Sequence, residues 1–87
     1  MKLIIAILQD SDADNVTHAL TADNFRITRI ASTGGWLRRG VVTLLIGLED
    51  DRVDTAIKVM RANTVQSEGE EARATLFVVP VENYTQI

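Results

Sequence analysis

The chain has 87 residues, 46% of them hydrophobic and 24% charged, with a formal net charge of −3; this fits one globular domain, residues 1–87, whose core buries only about 60–65% of the surface exposed by the unfolded chain, so that self-association is an easy way to bury more. The absence of cysteine excludes disulfide frameworks, thiolate metal sites and cysteine nucleophiles, and the single histidine, His18, cannot form a His-rich metal site. The acidic balance argues against a general nucleic-acid binder. The longest apolar runs, such as Leu3–Leu8, fall far short of the ~20 residues a membrane span needs, and Met1-Lys2 leads straight into a strand-like run, so a cytoplasmic location is expected.

Lys2–Gln9 is rich in Ile and Leu with hardly a polar break, the pattern of a central strand or one covered on both faces. Asp10-Ser11-Asp12 supplies N-cap residues and early acids, and Ala13, Val16 and Leu20 recur at helical spacing, predicting a helix that ends near Asp23-Asn24. Phe25–Thr33 alternates as a strand, with Arg26, Thr28, Ile30 and Ser32 on one side and Phe25, Ile27, Arg29 and Ala31 on the other. A short Gly34–Gly40 loop joins it to a second β-branched strand, Val41–Leu48. Glu49-Asp50-Asp51 opens a second helix whose Val53, Ala56, Ile57 and Met60 share a face. Asn63–Arg73 reads as a polar loop, and Ala74–Val79 as a last strand that Pro80 ends or places on an edge. The tail Val81–Ile87 has room for one helical turn around Glu82-Asn83-Tyr84.

The order strand, helix, strand, strand, helix, strand predicts an α+β, ferredoxin-like βαββαβ fold: a four-stranded antiparallel sheet with two helices on one face. The strands are apolar on both sides, so the face without helices is a large apolar surface, expected to be buried between subunits of a symmetric oligomer.

Charge is distributed unevenly. Between Asn24 and Gly47 lie four arginines (Arg26, Arg29, Arg38, Arg39) and no acid, whereas the remainder carries five basic and twelve acidic residues. A compact basic island in an acidic chain suits a small anionic ligand better than an extended polyanion, although a solvated hairpin surface would read the same way.

Around this island the residue types are those of a nucleotide site. Gly34 and Gly35 let backbone amides approach an anion. Trp36, the one tryptophan, offers a flat π face to a base. Asn24, Arg26 and Thr28 form a polar row able to read a base edge or hold phosphate. The competing reading is that Trp36 docks into a neighbouring subunit. Elsewhere the chemistry is thin. His18 falls on or near the polar side of its helix, the pairs Asp50-Asp51 and Glu70-Glu71 stand where helix-start or loop acids belong, and Asp10, Asp12 and Asp14 lack the Gly and distant Glu of an EF-hand. No catalytic residue and no metal site is expected, and the chain does not read as an enzyme.

Four segments, MKLIIAILQDSDADNVTHAL, NFRITRIASTGGWLRRG, IGLEDDRVDTAIKVM and ATLFVVPVENYTQI, together resemble the PII-like cyclic-di-AMP receptor family over nearly the whole chain except Arg61–Arg73. The resemblance implies a PII-like homotrimer with the ligand in a cleft between neighbouring subunits and no resident cofactor. Asn24, Arg26 and Thr28 would line that cleft. Thr33, Gly35, Trp36, Leu37 and Arg38 would fold over one adenine and a phosphate, and Gly47, Phe77 and Gln86 would complete the pocket. Trp36 stands where the family usually has phenylalanine, Val41 follows Gly40 where the family usually has asparagine, and the loop around Asn63–Arg73 is shorter than in relatives. The function so implied is non-enzymatic signalling through cyclic-di-AMP, or a related adenine nucleotide such as ATP, relayed to an unidentified partner protein. The alternative is a constitutive protein–protein interaction module of the same fold that has lost the nucleotide.

Overall fold

The computed structural model describes residues 1–30, 40–65 and 74–87. In chain order its elements are β1 (Lys2–Gln9), α1 (Asp10–Ala22), β2 (Arg26–Ile30), β3 (Val41–Leu48), a 3-10 turn at Asp50–Arg52, α2 (Val53–Ala62) and β4 (Ala74–Pro80). The strands form one antiparallel sheet in the order β2-β3-β1-β4. This is the expected ferredoxin-like arrangement, with β1 in the interior of the sheet and β4, ending in Pro80, on an edge.

Alternation along the strands decides what each face does. Ile4, Ala6 and Leu8 of β1 and Val42, Leu44, Ile46 and Leu48 of β3 are buried in one cluster with Ala13, Val16 and Leu20 of α1 and Ala56 and Met60 of α2. Both helices therefore cover the same side of the sheet. The intervening residues, Leu3, Ile5 and Ile7 of β1 and Val41, Thr43 and Leu45 of β3, are only half-buried.

The ends of α1 depart from the sequence expectation in one place and meet it in another. Asp10-Ser11-Asp12 does not cap the helix. Gln9 holds the cap position with extended backbone, and Asp10 is already helical. The reason is that the Asp10 amide donates to the Gly40 carbonyl at 2.7 Å, so the β1–β3 ladder runs into the first residue of the helix and leaves no separate cap. Asp12 is buried within the first turn, where a carboxylate suits the helix dipole, and it accepts a long bond from the Val65 amide at 3.4 Å. At the other end Asn24 has φ 66. The Asn24 amide donates to Thr21 O and the Phe25 amide to Leu20 O, both at 3.0 Å. With Phe25 and Leu20 buried together, this is a complete Schellman motif, in which asparagine tolerates the left-handed backbone.

β2 thus begins at Arg26, not at Phe25, because Phe25 completes that motif; its predicted continuation through Ala31, Ser32 and Thr33 lies outside the described residues. The expected helical turn at Glu82-Asn83-Tyr84 does not form. The tail is irregular and exposed apart from Val81, whose amide donates to Met1 O at 3.0 Å. An isolated turn with no apolar face to bury has nothing to offset the cost of nucleation.

Candidate functional site

The register places the candidate residues in rows across the face without helices. Directly paired residues share a face. Arg26 pairs with Gly47, which pairs with Leu3, which pairs with Val79. Thr28, Leu45, Ile5 and Phe77 form the next row, and Ile30, Thr43, Ile7 and Thr75 the one after. Four of the candidate residues, Arg26, Thr28, Gly47 and Phe77, therefore look out from the same open face. Arg26, Thr28 and Phe77 are exposed, and Phe77 keeps 52% of its surface.

They are not gathered in one place. β2 and β4 are opposite edges of the sheet, so Phe77 stands three strand spacings, about 14 Å, from Thr28. Along β2 the run from Arg26 to Ile30 covers about 13 Å. Arg26 and Gly47 do meet as direct neighbours, and glycine keeps the surface beside the guanidinium low: a Cβ on Gly47 would come within 3.1 Å of the Met1 Cε. Asn24 stands just before this pair and is exposed, but its backbone conformation already accounts for asparagine there. Gln86 lies on the exposed tail, which leaves the sheet at the same end, since Lys2 pairs with both Leu48 and Pro80. Thr33, Gly35, Trp36, Leu37 and Arg38 lie outside the described residues.

The structure separates the arginines by task. Arg29, on the helix side of β2, donates to Asp14 Oδ1 at 2.8 Å and to Asp10 Oδ1 at 3.2 Å. Its pKa is raised, chiefly by the hydrogen bond to Asp14, which outweighs the opposing effect of desolvation; the charges of Asp14 and Asp10 and the hydrogen bond to Asp10 add to the rise. Arg52 donates to the Asp23 carbonyl at 3.1 Å and lies over the Phe25 ring at 4.1 Å from its centroid. It ties the start of α2 to the Schellman turn that launches β2, a role the sequence hides because Arg52 is far in the chain from Asp23 and Phe25. Arg26, by contrast, makes no ion pair among the described residues. Of the described arginines of the basic island, Arg29 is thus neutralised by α1 and turned away from the open face, whereas Arg26 is exposed on that face.

His18 is exposed on α1. Among the described residues no cluster of three or more His, Cys, Asp or Glu is placed to hold a metal, and no helix is long and apolar enough to cross a membrane.

The comparisons agree with this frame. Among solved structures the chain is similar to a functionally unknown protein from Pediococcus pentosaceus ATCC 25745, with 31% identity over 99% of this chain and 96% of that chain and a TM-score of 0.79. Residues 1–70 match the family model described as cyclic-di-AMP receptor. That match spans β1 through α2, and with it the chain belongs to the cyclic-di-AMP receptor family.

Proposed function

We propose that this chain is a non-enzymatic signalling protein, a homotrimer that binds cyclic-di-AMP in three pockets between subunits and relays occupancy to a partner protein. The observation that carries this reading is the distribution of the open-face residues. Arg26, Thr28 and Gly47 sit at or beside the β2 edge and Phe77 on the opposite, β4 edge, about 14 Å away across the sheet. A ring of subunits in head-to-tail contact sets the β2 edge of each beside the β4 edge of the next and so joins the two halves. Closing the ring also covers the half-buried Leu3, Ile5, Ile7 and Leu45, which a free protomer leaves facing water.

In this reading Arg26 supplies positive charge to a phosphate, Thr28 and Asn24 hydrogen-bond, and Phe77 gives an apolar wall. Thr33, Gly35, Trp36, Leu37 and Arg38 supply the backbone amides, stacking surface and second guanidinium that an adenine and its phosphate need. Gln86 closes the pocket from the tail. The chemistry asked of the protein is recognition only, and the partner reads the surface altered by the ligand.

Isothermal titration with cyclic-di-AMP tests this directly, and sedimentation tests the trimer. Saturable binding at one ligand per subunit in a trimer is the expected result. No heat at tens of micromolar subunit removes this ligand, and a monomer under those conditions removes the intersubunit pocket. A constitutive interaction module draws on the same exposed Phe77 and half-buried open face. It is separated by the fluorescence of Trp36, which adenine stacking quenches or shifts and which would stay unchanged across a nucleotide panel if no nucleotide binds.

A further inference from the structure

Residues 31–39 are bracketed by two groups that meet on one residue of α1. Before them stands Arg29, whose Nη2 donates to Asp10 Oδ1 at 3.2 Å; after them stands Gly40, whose carbonyl accepts from the Asp10 amide at 2.7 Å. Asp10 therefore holds the end of β2 through its side chain and the start of β3 through its backbone. Asp14, one helical turn further on, takes the other arm of the Arg29 fork at 2.8 Å. Gly40 has φ 80, a left-handed backbone with no heavy atom within 4 Å of where a Cβ would stand, so glycine is favoured there by conformation, not by crowding.

We infer that the Asp10–Arg29–Asp14 cluster is a brace that fixes the relative position of the β2 and β3 ends from which residues 31–39 depart, and that Arg29 is thereby a positioning residue for nucleotide binding without touching the ligand. The second part rests on the function proposed above; the first does not. Three features favour a positioning role over a general contribution to stability. The cluster is on the surface, with Arg29 at 40%, Asp10 at 63% and Asp14 at 90% side-chain exposure, and exposed ion pairs add little to global stability. One guanidinium takes both carboxylates, which fixes direction as well as distance in a way that a lysine ammonium cannot. Finally, the residue bound by Arg29 is the same one whose amide carries the last hydrogen bond of the β1–β3 ladder, so loosening the salt bridge frees the turn at the point where β1 passes into α1.

The test uses the full chain and two readouts. Amide hydrogen exchange in ligand-free protein compares Asp10, Ile30 and Val41 with Ala6 and Leu44 in the centre of the sheet. Cyclic-di-AMP affinity is measured alongside in Arg29→Gln, Arg29→Lys, Arg29→Glu and, as a control that weakens the core away from the brace, Val16→Ala. The brace predicts faster exchange at Asp10, Ile30 and Val41 only, in Arg29→Gln and more so in Arg29→Glu, with Arg29→Lys in between. It further predicts affinity weakened by roughly two- to fivefold in Arg29→Gln and more in Arg29→Glu, while Val16→Ala loses melting temperature and keeps its affinity. Unchanged exchange at those amides overturns the brace whether or not a nucleotide binds. Faster exchange with wild-type affinity in Arg29→Glu overturns the positioning role. A wild-type protein that binds no cyclic-di-AMP sinks the proposed ligand instead, and the brace then stands or falls on exchange alone.

Discussion

The two sides of the sheet are made by the same strands and meet opposite ends. On one side Leu44 is fully buried with Ile4, Ile46 and the helix residues; on the other, its neighbour Leu45 is half-buried in a row with Thr28 and Phe77. Both sides are apolar in sequence, so hydrophobicity alone does not tell them apart. What separates them is the company each keeps: the helix side packs Ile4, Leu44 and Ile46 against α1 and α2, whereas the open side mixes Leu3, Ile5 and Leu45 with Arg26, Thr28 and the exposed ring of Phe77. The first side supplies the stability of the protomer. The second is the surface on which the proposed function places contacts between subunits.

Substitution at adjacent positions of β3 sharpens this contrast most. Leu44→Ala opens a cavity in a closed core and should cost about 2–5 kcal/mol in denaturant unfolding, independent of protein concentration. Leu45→Ala removes a side chain already half in water, so its cost to the protomer should be about 1 kcal/mol. Its larger effect should fall on assembly, as a dissociation midpoint shifted to higher concentration in sedimentation. Equal, concentration-independent losses at both positions would mean that the open side is not an interface.

A mixing experiment breaks or confirms the division of the pocket between edges. Arg26→Ala and Phe77→Ala should each weaken cyclic-di-AMP binding by roughly 1–3 kcal/mol. In a mixed trimer of the two variants, one of the three junctions joins the intact β2 edge of one subunit to the intact β4 edge of its neighbour. Co-refolded chains should therefore recover sites of wild-type affinity at one per mixed trimer, which neither variant has alone. No recovery would mean that Arg26 and Phe77 serve the same subunit's site, contrary to their positions at opposite edges.

Much of this frame was legible in the sequence because it depends on local periodicity. β1 and β3 follow their predicted bounds, Lys2–Gln9 and Val41–Leu48, and Ala13, Val16, Leu20, Ala56 and Met60 are buried as their spacing requires. The faces of Arg26 and Arg29 also follow from alternation along β2. What the sequence concealed was pairing across long chain separations. Nothing in a cluster of four arginines reveals that Arg29 is neutralised by Asp10 and Asp14 from α1, or that Arg52 rests on Phe25. Nor does a triad of alternating acids show that Asp10 continues a strand ladder while Asp12 is buried. The separation of Phe77 from Arg26 was equally hidden, because strand order is a property of the topology and not of any one segment.

Asn24 is where the two sides of this comparison meet in one residue, and it allows the finest test. Its backbone closes the Schellman turn at φ 66, while its exposed side chain is a candidate ligand contact beside Arg26. Alanine disturbs both, because a Cβ-bearing residue without a local side-chain hydrogen bond disfavours the left-handed region; a loss of about 1 kcal/mol in stability is expected. Glycine accepts that conformation freely and removes only the amide, so Asn24→Gly should unfold within a few tenths of a kcal/mol of the wild type, apart from added freedom of the unfolded chain. If the amide contacts the nucleotide, Asn24→Gly should lower affinity as much as Asn24→Ala despite the difference in stability. If the asparagine is there for the turn alone, Asn24→Gly should bind like the wild type, and the polar row would begin at Arg26.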